Sequence, residues 1–297
     1  IYRAAKTLNK KAYIVIDNPT SSIIPLMNTF RDNQDYEADM FVNNHEAKEI
    51  MDDNTLLVVV DTNKPSITQC EDLLYMAKMI VVLDHHRQGS DTIRNSVLSY
   101  IEPYASSASE MVAEILQYFT EGIRIRNVEA DSIYAGIMID TDNFMQKTGV
   151  RTFEAAAFLR RCGADVTRVR KLFREDMNDY KARGETIRNA ELFRGQFAIS
   201  ECPSDYVDSP TVVGAQAANE LLNIVGVKAS FVLTEYKGVI YISARAIDEV
   251  NVQIIMERMG GGGHLNMAGC QLETVNMEGA RSLLKSTLTE MQDGGEI

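Results

Sequence analysis

The chain has 297 residues, 45% of them hydrophobic, with 30 basic against 42 acidic side chains and a formal charge of -12. That length admits a substantial core and favours two domains, while the acidic balance gives no global pull on polyanions, so duplex nucleic acid is disfavoured and a nucleotide must be held by local groups. No apolar run approaches the roughly 20 residues of a membrane helix, no signal peptide is visible, and the scattered cysteines Cys70, Cys162, Cys202 and Cys270 fit a reducing compartment without a zinc signature.

Taken in chain order, Ile1, Ala4, Ala5 and Leu8 follow helical spacing with no cap before them, so further chain is expected upstream. From Ala12 short β-rich runs alternate with helical ones: "AYIVID" (Ala12 to Asp17), a helix around Ile23 to Phe30, "LLVVVD" (Leu56 to Asp61), a helix near Cys70 to Lys78, and "MIVVLD" (Met79 to Asp84). Continuous apolar strands separated by helices predict a parallel sheet covered on both faces. The apolar "AGIMI" before Asp140 reads as a further strand of the same kind. A helix is expected over Arg151 to Arg161, stopped by Gly163, and a charged helical connector over 166–193, with the boundary near Arg183. The rhythm then changes to strand "QFAIS", helix "TVVGAQAANELLNIV", hairpin "ASFVLTEYKGVIYISARA", a helix from Val250, and a last helix over about Met277 to Met291. The fold class is α/β: a parallel-sheet domain over 1–165, the connector, and a smaller domain with a mixed sheet over 194–297.

In open α/β sheets the ligand crevice lies beyond the carboxyl ends of the strands, so Asp61, Asp84 and Asp140 are expected to converge there with His85 and His86. Carboxylates and imidazoles without thiols suit a divalent ion such as manganese, with magnesium less favoured because nitrogen contributes. In a two-metal site one carboxylate bridges; Asp61 is the natural candidate, with His85 and Asp140 completing one ion. His86 is placed to meet a substrate phosphate, and Asp84 to orient a neighbouring imidazole. Each strand-end aspartate also has a plain reading as a helix N-cap, which Asp17 favours.

The set formed by Asp61 in "VVVDTN", "DHH" at Asp84 to His86, Asp140 in "MIDTDNF" and "GGGGH" at Gly260 to His264 resembles the DHH/DHHA1 phosphoesterases over essentially the whole chain. Within that family, "SARAIDEVNVQIIMERMGGGGHLNMAGC" is similar to the GdpP-type cyclic-di-AMP phosphodiesterases more than to RecJ exonucleases or the oligoribonuclease/pAp-phosphatase branch. The resemblance implies two manganese ions in the first domain, with magnesium or cobalt as substitutes, nucleotide held by the second, and hydrolysis of cyclic-di-AMP to linear pApA by two-metal water activation. It matches Asp61 to the bridging aspartate, His85 and Asp140 to metal ligands, and Asp84 and His86 to the supporting members of the motif. The family's first motif, a His-x-x-x-Asp-x-Asp set with three further ligands, has no counterpart here and is expected ahead of the opening helix. Such relatives also imply membrane anchoring through upstream helices for a full-length protein, a cytoplasmic setting for this segment, and a homodimer as one assembly.

In the second domain, Gly261, Gly262 and Gly263 let backbone approach a phosphate or purine edge, with His264 donating to it; the plain alternative is a helix C-cap. Arg245 is a phosphate contact or a solvated edge residue. His45 reads as a surface residue. "PYASSASEMVAEIL" reads as a capped helix, with Ser106 or Ser107 before Glu110, although the resemblance also gives these serines a substrate-side role. Two rival functions stay open: an oligoribonuclease or pAp phosphatase of the same family, and a nucleotide sensor without catalysis.

Overall fold

The Val- and Ile-rich runs become strands wherever a neighbour is present to pair with them, since β-branched side chains suit a pleated surface buried by its surroundings. A computed structural model describes residues 1–19, 23–120, 122–174, 176–247 and 249–297. The chain divides into two units, Ile1–Arg174 and Glu175–Ile297.

The first unit runs α1 (Tyr2–Thr7), β1 (Ile14–Val15), α2 (Ile24–Arg31), β2 (Phe41–Val42), α3 (Asn44–Ile50), β3 (Leu56–Val60), α4 (Asp72–Met76), β4 (Met79–Asp84), β5 (Leu98–Ile101), α5 (Ala108–Phe119), α6 (Asn127–Asp140), α7 (Val150–Arg161) and α8 (Val166–Leu172). β3, β4 and β5 form a parallel sheet with β4 in the middle, Val60 opposite Leu83 and Asp84 opposite Ile101. β4 is the most buried of the three, with Ile80 and Val82 sealed from solvent. β1 pairs with β2 as a separate parallel ribbon. Of "AYIVID" only Ile14–Val15 is strand, because its partner offers just Phe41 and Val42 to bond. α5, α6 and α7 share a core built from Ala113, Leu116, Ala130, Ile137 and Leu159.

Two expectations about this region are overturned. The run ending in Asp140 is the last part of α6, not a strand. The stretch is 14 residues long, beyond the usual span of a strand, and Glu129 in its first turn accepts the Arg126 backbone N–H at 2.9 Å, which favours a helical start. The connector over 166–193 is likewise not one helix. α8 begins at a cap where Asp165 accepts the Arg168 N–H, and a new cap at Asp176, extended and accepting the Asn178 N–H, starts α9 (Met177–Arg188). After α9 the chain turns into strand.

The second unit continues with β6 (Glu191–Phe193), β7 (Phe197–Cys202), α10 (Pro210–Leu221), β8 (Ala229–Tyr236), β9 (Val239–Ala246), α11 (Val252–Arg258), β10 (Gly262–His264), β11 (Met267–Leu272) and α12 (Met277–Asp293). Its six strands lie in the order β10-β11-β9-β8-β7-β6; β7 and β8 are parallel, the other pairs antiparallel. The mixed sheet and the β8–β9 hairpin agree with the sequence reading; Lys237 and Gly238 both take positive φ between the paired Tyr236 and Val239, as a tight hairpin turn demands. One face packs on α11 and α12 through Phe231, Leu233, Ile242, Ile255 and Leu284. The other packs on α10 through Val232, Ala217 and Leu221. Along β9 burial alternates strictly, so Ile240, Ile242, Ala244 and Ala246 face the first core while Ser243 and Arg245 lie on the opposite side.

Candidate metal centre and nucleotide face

Because β3 and β4 are parallel and in register, their carboxyl ends lie side by side. Asp61 follows β3 and extends the ladder by one bond, its N–H donating to Leu83 O at 2.9 Å. It does so with φ of +64°, a left-handed conformation that costs a non-glycine residue about 1–2 kcal/mol. Such strain persists where the surroundings impose it, and it tends to collect at functional sites. Asp84 closes β4 and is sealed from solvent.

His85 Nε2 lies 3.4 Å from Asp61 Oδ1 and 3.7 Å from Asp140 Oδ2. Three segments distant in sequence thus bring their donors together at one point, with Asp140 arriving on the end of a helix. His85 Nδ1 lies 3.4 Å from Ala105 O. A carbonyl can only accept, so that contact is a hydrogen bond when Nδ1 carries a proton; in the protonated ring Nε2–H then donates to the carboxylates, and in the neutral Nδ1–H form Nε2 offers its lone pair to an ion. The hydrogen bond to Asp61 raises the pKa of His85, burial opposes it, and the charge of Asp140 adds to the rise. Burial raises the pKa of Asp140, and the like charge of Asp61 raises it further. A cation set among these groups would relieve the crowding, which is the electrostatic sense in which the donors fit a metal ion.

His86 stands beside His85, ring centroids 4.4 Å apart. Among the described residues one potential metal group is found, Asp61 with His85 and His86, its ligand atoms all within 4.8 Å of one another. Asp84 Oδ1 takes His86 Nδ1 at 2.7 Å, and Asp84 Oδ2 accepts from Asn63 Nδ2 at 2.5 Å. The imidazole that Asp84 orients is therefore His86, not His85. Asn63, 2% exposed, was missed in the sequence; its only signal there is its place two residues after Asp61. Asp17 lies apart from this cluster and accepts the Asn44 N–H at 3.2 Å, but it is not a helix N-cap as expected: Asn43 caps α3 and Ile23 precedes α2. His45 is exposed, 3.8 Å from Glu49. Ser107 caps α5 as its spacing predicts, and both it and Ser106 are buried.

In the second unit, strand register sets the geometry. Met267 pairs with Arg245 on one side and with His264 on the other, so His264, Met267 and Arg245 form one row on one face of the sheet, with outer members about 10 Å apart. The parallel row Gly262, Gly269 and Ser243 lies two residues along on the same face. Two flat glycines thus lie beside the cation and the imidazole. Arg245 sits on an inner strand and is half-buried, not a solvated edge residue; its Nη1 donates to Ala244 O at 2.9 Å, and its buried Nε has no partner among the described residues. Burial lowers its pKa.

Within "GGGGH" Gly262–His264 forms strand β10 in a hairpin with β11, and Gly260 and Gly261 lead into it. A Cβ on Gly261 would lie 2.1 Å from Gly269 O, and one on Gly263, at φ +149°, would lie 2.5 Å from Ala268 Cα. Both are required by the close approach of β11. Gly262 has nothing within 4 Å and presents open backbone on the Arg245 face.

A cavity of about 740 Å³ lies at the other end of α6, lined by Leu26, Arg126, Asp131, Arg168 and Leu172 among others. Helix length puts it about 20 Å from Asp140. Its arginines are already paired, Arg126 with Asp35 at 3.0 Å and Arg168 with Asp131 at 2.6 Å.

Comparison with known proteins adds to this geometry. Residues 7–137 match the DHH family, N-terminal domain, and residues 197–290 the DHHA1 domain. The chain is 41% identical to the cyclic-di-AMP phosphodiesterase GdpP of Bacillus subtilis (strain 168) over 99% of its own length and 45% of that protein. It is 38% identical to the cyclic-di-AMP phosphodiesterase PdeA of Listeria monocytogenes over 97% of its length and 44% of that protein. The chain therefore spans less than half of these curated relatives. The crystal structure of an exopolyphosphatase-related protein from Bacteroides fragilis shares the fold, with a TM-score of 0.81 at 20% identity, covering 98% of this chain and 86% of that one.

Proposed function

The chain belongs to the DHH/DHHA1 family, and on that premise we propose that it is the hydrolytic part of a manganese-dependent phosphodiesterase that opens cyclic-di-AMP to linear pApA. The observation that carries this reading is the convergence of Asp61 Oδ1 and Asp140 Oδ2 on His85 Nε2. Similarity to two cyclic-di-AMP phosphodiesterases supports the choice of substrate.

Asp61, His85 and Asp140 would hold one divalent ion, and Asp61 would reach a second. Bound there, the ions supply polarisation of the phosphodiester and acidification of water near neutral pH. The residues do the rest by position. Asp61 is held by its ladder bond and Asp140 by the end of a capped helix, so the two carboxylates stand ready without reorganisation. Asp84 keeps His86 Nδ1 as a donor. When that ring is neutral, Nε2 offers a lone pair to an ion; when protonated, the same atom donates to a phosphate oxygen. In the second unit, Arg245, His264 and the Gly262 backbone form the surface that would take the dinucleotide, the guanidinium meeting phosphate and the glycine row leaving room for a flat base.

The test is hydrolysis of cyclic-di-AMP, pApA and pAp by a protein carrying the family's first motif, with manganese, followed by product identification. Cyclic-di-AMP should be the preferred substrate and pApA the product, and Asp140→Ala should reduce the rate to background. Preference for pAp would assign the oligoribonuclease/pAp-phosphatase reading. Full activity of Asp140→Ala would remove the ligand assignment.

A further inference from the structure

Glu110 lies in the first turn of α5 and is 1% exposed, an expensive place for a carboxylate. Its position, three residues after the N-cap Ser107, is that of a capping-box partner, which ordinarily accepts the N–H of the cap residue itself. Here the carboxylate reaches one residue further back. Oε2 accepts the Ser106 N–H at 3.4 Å, the Ser106 hydroxyl at 2.5 Å and the Thr152 hydroxyl of α7 at 2.6 Å. Thr152 Oγ1 in turn accepts the Gly149 N–H at 3.0 Å, which fixes the direction of its own donation.

The peptide unit whose N–H faces Glu110 is the one joining Ala105 to Ser106, and the carbonyl of that unit, Ala105 O, faces His85 Nδ1 at 3.4 Å. In a trans peptide the C=O and N–H point in opposite directions, so one rigid plane joins the buried carboxylate to the imidazole. We propose that Glu110 is a positioning residue for His85, acting through the Ala105–Ser106 peptide. The negative charge behind the N–H polarises the peptide and strengthens the carbonyl as an acceptor, which holds the proton on His85 Nδ1 and turns Nε2 toward Asp61 and Asp140. The arrangement does the work of a carboxylate bonded directly to a metal-binding histidine, with a peptide group in between.

A helix cap alone would need only Ser107 Oγ, which already accepts the Glu110 N–H at 2.9 Å. Nor is Glu110 held as half of a close ion pair. The nearest guanidinium nitrogen, Arg151 Nε, is 4.0 Å from Oε1, while Arg151 is engaged bidentately by Glu114 at 2.7 Å. What Glu110 touches is the peptide and the two hydroxyls that steady it.

The importance of this link for catalysis rests on His85 being a metal ligand, but the link itself can be measured without metal. In the metal-free protein ¹⁵N NMR reads the share of neutral His85 that carries its proton on Nδ1, which Ala105 O favours and the two carboxylates facing Nε2 oppose, and Glu110→Gln should lower that share. In the protein carrying the first motif, the same variant should weaken Mn²⁺ binding and lower kcat on cyclic-di-AMP by roughly 10–100-fold, with KM little changed. Glu110→Asp, which retracts the carboxylate but keeps its charge, is the second variant if Glu110→Gln does not fold, and should give the same shift. A folded variant with an unchanged His85 tautomer and unchanged Mn²⁺ affinity overturns the proposal. A wild-type protein that binds no Mn²⁺ while the tautomer still responds to Glu110 overturns the metal reading instead and leaves the link standing.

Discussion

At the scale of single residues, Asp61 combines a useful carboxylate with a backbone conformation that opposes it. Its φ of +64° is disfavoured for any side chain with a Cβ, and its charge raises the pKa of Asp140 beside it. Stability and chemistry should therefore separate here. Asp61→Gly removes the Cβ penalty and the charge; Asp61→Ala removes the charge and keeps the penalty. In urea unfolding of the metal-free protein the glycine variant should exceed the alanine variant by about 1 kcal/mol, while both lose Mn²⁺ binding. Equal stability of the two would show that the left-handed backbone carries no strain.

At the scale of elements, the hairpin β10–β11 separates two uses of glycine. Gly261→Ala would drive a methyl into Gly269 O and Cys270 Cα, backbone of β11 that cannot move alone. It should cost about 1–3 kcal/mol, as overpacking does. Gly262→Ala meets nothing and should leave the thermal midpoint near wild type while weakening nucleotide binding, because its Cβ would project from the face of Arg245 and His264. A Gly262→Ala protein with full affinity would sink that face as the binding surface. The same hairpin shows what the sequence could not display. "MIVVLD" is legible because a strand buried in the middle of a parallel sheet is apolar throughout, and "VVVD" because its β-branched run pairs with it, although Val60 is exposed. "GGGGH" carries no hydrophobic period at all, and its pairing with Met267–Gly269 is set by long-range strand register that no local pattern displays. "AGIMID" failed for the opposite reason. The end of α6 is so continuously apolar in sequence that a short window over it matches a strand as well as a helix, although Ile139 is exposed, and only the longer stretch back to its capped start distinguishes them. The convergence of Asp140 with His85 survived that misreading, because either element would end at the same residue. Glu110 was visible only as a cap partner, since the peptide it supports is defined by three-dimensional contact.

At the scale of the whole molecule, every proposed metal ligand belongs to the first unit, and the ligands come from three places far apart in sequence: the ends of β3, β4 and α6. A cation bound by Asp61, His85 and Asp140 cross-links loops that the unfolded chain would have to close at an entropic cost growing with their length. Since the ion binds the folded form, it stabilises that form by about 2.7 kcal/mol at a free concentration 100 times its Kd. No proposed ligand lies in the second unit, whose clusters gather around Phe231 and Leu284 on one face and Val232 and Leu221 on the other. Hydrogen exchange followed by mass spectrometry on a protein carrying the first motif should therefore show Mn²⁺-dependent protection concentrated in peptides covering β3, β4 and α6, with β8 and β9 unaffected, and chelation should reverse it. Cyclic-di-AMP should give the complementary result, protecting β9 through β11 even where Asp140→Ala has removed the metal response, because Arg245 and His264 hold their row by strand register alone. Protection by Mn²⁺ alone that appears equally in both units would contradict a centre confined to the first, and protection by nucleotide that vanishes with Asp140 would make the metal ions, not the sheet face, the main source of affinity.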